Sequence, residues 1–81
     1  MGERLPSSVH AHMDVRKRIG LNLQNARRER GFSQEELAHL AEVHQTYLSG
    51  VEGGKRNPSV LVLHRIAVAL GLDIEDLAKR R

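Results

Sequence analysis

The 81-residue sequence has no cysteine and no tryptophan, a single phenylalanine, a single tyrosine and only two prolines. Without cysteine there is neither a disulfide framework nor a thiolate metal centre, which points to a reducing compartment, the cytoplasm. With so few aromatic rings, the core has to be aliphatic. No apolar run approaches the roughly 20 residues of a membrane span, and the N-terminus lacks the apolar stretch of a signal peptide. Glycine-rich phosphate loops, nucleophile elbows and clusters of metal ligands are missing too, so no enzyme, cofactor or metal site is indicated. No small-molecule ligand is evident. The length allows one small core and no second one.

The net charge of +3 is modest but unevenly spread. Residues 15–30 hold six cations (Arg16, Lys17, Arg18, Arg27, Arg28, Arg30) against one acid, Glu29. Residues 31–54 hold four acids and no Lys or Arg, after which Lys55 and Arg56 follow at once. Basic flanks around a nearly uncharged polar segment suit phosphate clamping beside base reading, although any one of these cations can equally be a solvated helix face.

That polar segment, Ser33 to Glu52, reads as two short helices joined by a tight turn. Ser33 is a natural N-cap and Glu36 stands three residues on, where it completes a capping box. Leu37, Ala38, Leu40 and Ala41 place apolar groups at helical spacing, and Ala38 is small enough for a crossing helix. From Gln45 to Glu52, Leu48 and Val51 face inward, while Gln45, Thr46 and Ser49 face out. A helix with a buried rear and a hydrogen-bonding front is what a major-groove reader requires.

Residues 1–13 show no periodicity and read as a disordered arm. The His12-Met13 pair resembles a cloning junction, which would make the arm a remnant and leave residues 14–81 as the domain. His10 and His12 lack the Cys or acidic neighbours of a closed metal site. Asp14 caps a first helix over about 15–30, with Val15, Ile19, Leu23 and Ala26 as its inward stripe and Gly31 as its stop. Gly20, inside that helix, costs about 1 kcal/mol relative to alanine and is a place for close helix packing. Pro58 and Ser59 open a fourth helix (about 59–70) with Val60, Leu63, Ile66, Ala67 and Leu70 inward. Asp73 caps a fifth (about 74–79). There are five helices, no strand signal and no repeat.

The chain from about Ile19 to Leu77 resembles the DNA-binding domains of phage repressors and Cro proteins, the xenobiotic-response-element class. Within it, His44-Gln45-Thr46-Tyr47-Leu48-Ser49-Gly50-Val51-Glu52, followed by Arg56-Asn57-Pro58-Ser59, is similar to restriction–modification controller proteins. The resemblance implies an all-α, five-helix lambda-repressor-like fold, with the helix-turn-helix at helices 2 and 3. It implies a transcriptional regulator that binds double-stranded DNA. His44, Gln45, Thr46 and Ser49 would read base edges, Gln45 with an amide able to pair bidentately with adenine. Gln34, Tyr47, Lys55, Arg56 and Asn57 would contact the DNA backbone, Gln34 also bracing the reading helix. Tyr47 is otherwise an ordinary half-buried aromatic. Arg27 and Glu52 match positions that pair in the family. Gly50 would either admit the DNA backbone or loosen its helix.

Two positions depart from the family. Glu42 stands where the turn usually has glycine in a positive-φ conformation, at a cost of roughly 1–2 kcal/mol. Gln45 stands where controllers often carry Arg, so their operators do not transfer. His39 and His64 face outward without a role. Leu61 and Val68 lie seven apart on the outward side of the fourth helix, with Leu72, Ile74 and Leu77 close by. These five are expected to form a two-fold interface, giving a homodimer on a palindromic operator. The alternative is an antitoxin-like module that neutralises a protein partner and also binds DNA.

Overall fold

The structure, a computed structural model, describes residues 14–80; the arm and its two histidines lie outside them. Among the described residues there are five helices and no strand: α1 (Val15–Glu29), α2 (Gln34–Ala41), α3 (Gln45–Glu52), α4 (Val60–Ala69) and α5 (Ile74–Ala78). The caps expected from the sequence are present. The Asp14 carboxylate accepts from the Arg16 amide at 2.8 Å, and the Ser59 hydroxyl from the Val62 amide at 3.1 Å. At α2 the Glu36 amide donates to Ser33 Oγ at 3.0 Å, while the Ser33 amide donates to Glu36 Oε1 at 2.7 Å. Asp73 and Asp76 make the equivalent box at α5.

Every helix sends at least one side chain to the same core: Leu23, Leu37, Leu48, Val51, Ile66 and Leu77 are all fully buried. α1 packs against α3 and α5, α2 against α3 and α4, and α4 against α5. With no large ring to fill space, each leucine matters. Truncating one to alanine is expected to cost about 2–5 kcal/mol.

Four expectations are corrected by this packing. Val60, expected on the inward face of α4, is 69% exposed, because it is the first residue of that helix and lies about 70° round it from the centre of the Leu63–Ile66–Ala67 face. Val15 is 49% exposed, because the first turn of α1 runs past its neighbours. Leu40 is 52% exposed: at 3.6 residues per turn it lies about 100° round α2 from the centre of the Leu37–Ala38–Ala41 face. Leu77 was expected at a dimer interface, but it is wholly enclosed in its own protomer's core. Leu72 and Ile74 are half-buried against that core as well.

The ends of three helices are closed by side chains from distant parts of the chain. Arg65 on α4 donates from Nε to the Ala41 carbonyl at 3.1 Å and from Nη2 to the Glu42 carbonyl at 2.6 Å. Arg30 donates from Nε to the Leu70 carbonyl at 2.6 Å, ending α4. Asn22 donates to the Leu77 and Lys79 carbonyls at 2.8 and 2.9 Å, ending α5. Terminal carbonyls have no intrahelical donor, so these long-range contacts replace water and fix how the helices meet.

Gly20 is explained by its surroundings. A Cβ there would meet the Glu52 carbonyl oxygen in hard overlap and would lie 2.7 Å from the Val51 carbonyl oxygen. The glycine lets α1 run directly against the C-terminal end of α3, and so sets the depth at which α3 is seated.

Candidate nucleic-acid interface

The turn between α2 and α3 is tight, and the glutamate at Glu42 does not open it. Glu42 takes the left-handed conformation, φ 60° and ψ 46°, and is the only non-glycine residue at positive φ among those described. The Val43 amide donates to the Ala38 carbonyl at 2.9 Å and the Glu42 amide to the His39 carbonyl at 3.2 Å, the paired bonds of a Schellman ending. Arg65 holds the carbonyl of the strained residue itself.

α3 is gripped from behind. Leu48 and Val51 enter the core, and Glu52 is 6% exposed. Its carboxylate accepts from Arg27 Nε at 2.6 Å and Nη2 at 3.1 Å, and from Gln34 Nε2 at 3.0 Å. Arg27 also donates from Nη1 to the Phe32 carbonyl at 2.8 Å. One buried carboxylate therefore ties α1, α2 and α3 together with its hydrogen bonds filled, the arrangement in which a buried ion pair holds geometry. Gln34 is where its bracing role requires it to be.

The front of α3 is open. His44, Gln45, Thr46 and Ser49 are all exposed, and His44, at the N-cap, makes no side-chain capping bond. They leave polar, hydrogen-bonding groups exposed along the N-terminal half of α3. The loop that follows folds back on the helix: the Lys55 and Arg56 amides donate to the Gly50 carbonyl at 2.8 and 3.1 Å. Lys55, Arg56 and Asn57 are exposed beside α3, and the Arg56 guanidinium lies 5.7 Å from the centre of the Tyr47 ring. Tyr47 is half-buried, packed on the core below and covered by Arg56 above.

Two features of this surface were not legible beforehand. Gly50, which costs about 1 kcal/mol in a helix interior, faces the Arg56 side chain. Lys17, one of six cations in a run, packs against Gly54 and so stands beside the same loop. Spacing alone could not separate it from its neighbours. Of the others in that run, Arg27 is buried, Arg30 closes α4, and Arg16 pairs with Asp14 at 3.1 Å. The hydrogen bond from Arg16 holds the Asp14 carboxyl below its usual range, and Asp14 in turn raises Arg16. Half of the apparent basic patch on α1 is thus committed to structure. Among the described residues, no cluster of His, Asp or Glu could hold a metal ion and no helix is long and apolar enough to cross a membrane.

A family model described as helix-turn-helix matches residues 23–77. The chain belongs to the helix-turn-helix family, in its phage-repressor class. The match covers the turn, α3 and the core that seats them. Among helix-turn-helix relatives, an uncharacterised transcriptional regulator (y4dJ) of Sinorhizobium fredii is 45% identical over 65 residues, 80% of this chain and 84% of the relative. The crystal structure of the restriction–modification controller protein C.AhdI from Aeromonas hydrophila superposes with a TM-score of 0.75 at 35% identity, over 76% of this chain and 94% of that one. The biofilm master regulator SinR, solved in complex with DNA, superposes with a TM-score of 0.72 at 34% identity, over 75% of this chain and 98% of that one.

Proposed function

We propose that the chain is a transcriptional regulator that binds double-stranded DNA in a sequence-specific manner, as a homodimer on a palindromic operator. The observation that carries this reading is the exposed front of α3, with His44, Gln45, Thr46 and Ser49 held by a buried network behind it. A helix fixed at its rear and open at its front can enter the major groove without reorganising. Gln45 and Thr46, in the first turn, are the base readers, with His44 and Ser49 beside them. Lys55, Arg56, Asn57 and Tyr47 take the backbone, and Gln34, braced on Glu52, keeps its second amide hydrogen to donate to a phosphate. Lys17 adds a cation on the flank. The resemblance between C.AhdI and this chain supports the narrower reading of a restriction–modification controller at work in a bacterial cytoplasm.

Leu61 and Val68, 76% and 58% exposed, lie on the side of α4 opposite its buried face. They are the centre of the proposed two-fold contact, with Leu72 and Ile74 at its rim. A two-fold pair of α3 helices would meet half-sites about 34 Å apart, one turn of DNA. Selection of binding sites from a pool of random duplexes tests the proposal. The expected result is one enriched sequence with two-fold symmetry. No enrichment, together with stoichiometric recovery of a protein partner, would replace it with the antitoxin-like reading.

A further inference from the structure

A glycine in the middle of an eight-residue helix is unfavourable for that helix, so its neighbours should explain it. Gly50 has one side-chain neighbour that does. A Cβ built on it would stand 2.5 Å from Arg56 Cγ, 3.5 Å from Arg56 Nε and 3.6 Å from Arg56 Cβ. The crowded atom is Cγ, near the root of the side chain, so a small terminal adjustment would not clear it; Arg56 would have to leave along another rotamer. Beyond Gly50 the same side chain reaches the Tyr47 ring, 5.7 Å from its centre, at a distance where a guanidinium is attracted to an aromatic face. The Arg56 amide is already tied to the Gly50 carbonyl at 3.1 Å. Backbone, notch and ring together define one path for an otherwise exposed arginine.

We propose that Gly50 is a positioning residue for DNA contact: its missing side chain is the notch through which Arg56 is laid across α3 onto Tyr47, ready for a phosphate. An arginine free on a surface loses rotamer freedom when it clamps a ligand, and one already seated loses less. The ring also lines up the planar guanidinium, which favours bidentate pairing with phosphate oxygens. Gly50 thus acts through Arg56 and touches no DNA. This rests on the reading of α3 and its loop as a DNA interface.

The test uses the full chain and the duplex recovered by site selection. Gly50→Ala keeps the fold, alanine being the better helix former, and its melting temperature is expected to equal or exceed that of the unaltered protein. Gly50→Ala and Arg56→Ala are each expected to weaken DNA binding about tenfold, the scale of one charge-assisted contact. Both should make the salt dependence shallower by about one phosphate per subunit, and the double variant should lose no more than either alone. In the free protein, the Arg56 side-chain protons should carry an upfield ring-current shift that Gly50→Ala removes. Normal binding by Gly50→Ala, or by Arg56→Ala, would overturn the inference alone. A further loss in the double variant would also overturn it, because the added methyl would then be meeting DNA directly. An unaltered protein that enriches no duplex would overturn the proposed function and this inference with it.

Discussion

Glu42 and Arg27 show how much the seating of α3 depends on single side chains outside that helix. Glu42 holds a left-handed conformation at a position that glycine would occupy without strain, and Arg65 fastens its carbonyl at 2.6 Å. Glu42→Gly removes a strain of roughly 1–2 kcal/mol but adds the chain entropy of glycine, so stability is expected to stay level or rise by up to about 1 kcal/mol. Urea denaturation checks this; a clear loss would mean that the Glu42 side chain makes a contact the turn needs. Arg27→Ala is the opposite case. It would leave Glu52 buried with an unpaired charge and only the neutral Gln34 amide donating to it, and the expected loss is about 3–5 kcal/mol. A variant melting within a few degrees of the unaltered protein would show that water or another cation replaces Arg27. Asp14 is a gentler probe. Its carboxyl is held low by the Arg16 hydrogen bond, so its capping contribution is complete above the ordinary Asp value and fades only as pH falls through the depressed one. Between pH 5 and 8 this cap is therefore expected to leave stability flat.

At the scale of elements, the proposed function assigns specificity to α3 and affinity to the loop after it. Gln45 and Thr46 stand in the first turn of α3, where side chains can reach base edges, and Lys55 stands in a loop that folds back beside the helix. Gln45→Ala is expected to weaken the selected duplex by about 1–3 kcal/mol while leaving a scrambled duplex nearly unchanged. Lys55→Ala should weaken both alike and lower the salt slope by about 0.9 per subunit. Equal losses on the two duplexes for Gln45→Ala would move base reading to Thr46, Ser49 or DNA shape. These elements were legible because their signals are local: a capping box spans four residues, and a buried rear shows as Leu48 and Val51 three apart. The carbonyl caps from Arg65, Arg30 and Asn22 were not legible, since each joins residues 23 to 57 positions apart with no local pattern. The same limit misplaced Leu40, whose position 100° round the helix matters only once α4 is in place, and hid the partnership of Gly50 with Arg56.

At the scale of the whole molecule, the described residues have a buried side, where five helices share one aliphatic core, and an exposed apolar side on α4. Leu61 and Val68 are 76% and 58% exposed there, while Leu77, which the sequence grouped with them, belongs to the core. The distinction gives assembly a clean test, because the fold and the proposed interface rest on different leucines. Leu61→Glu places a charge where a two-fold contact would bury it twice, so it should abolish the dimer and leave the melting behaviour of the monomer intact. Leu77→Ala should destabilise the fold by about 2–5 kcal/mol whatever the assembly state. Operator binding separates the two further. A monomeric Leu61→Glu protein keeps its α3 surface and should still bind a single half-site, but it loses the gain from a second linked contact, which typically amounts to 10²–10⁴-fold. Sedimentation of the unaltered protein across the micromolar range, with and without a two-fold duplex, decides the matter. A chain that stays monomeric on the duplex, with Leu61→Glu binding as tightly as its parent, would remove α4 from the interface and leave the exposed leucine as surface.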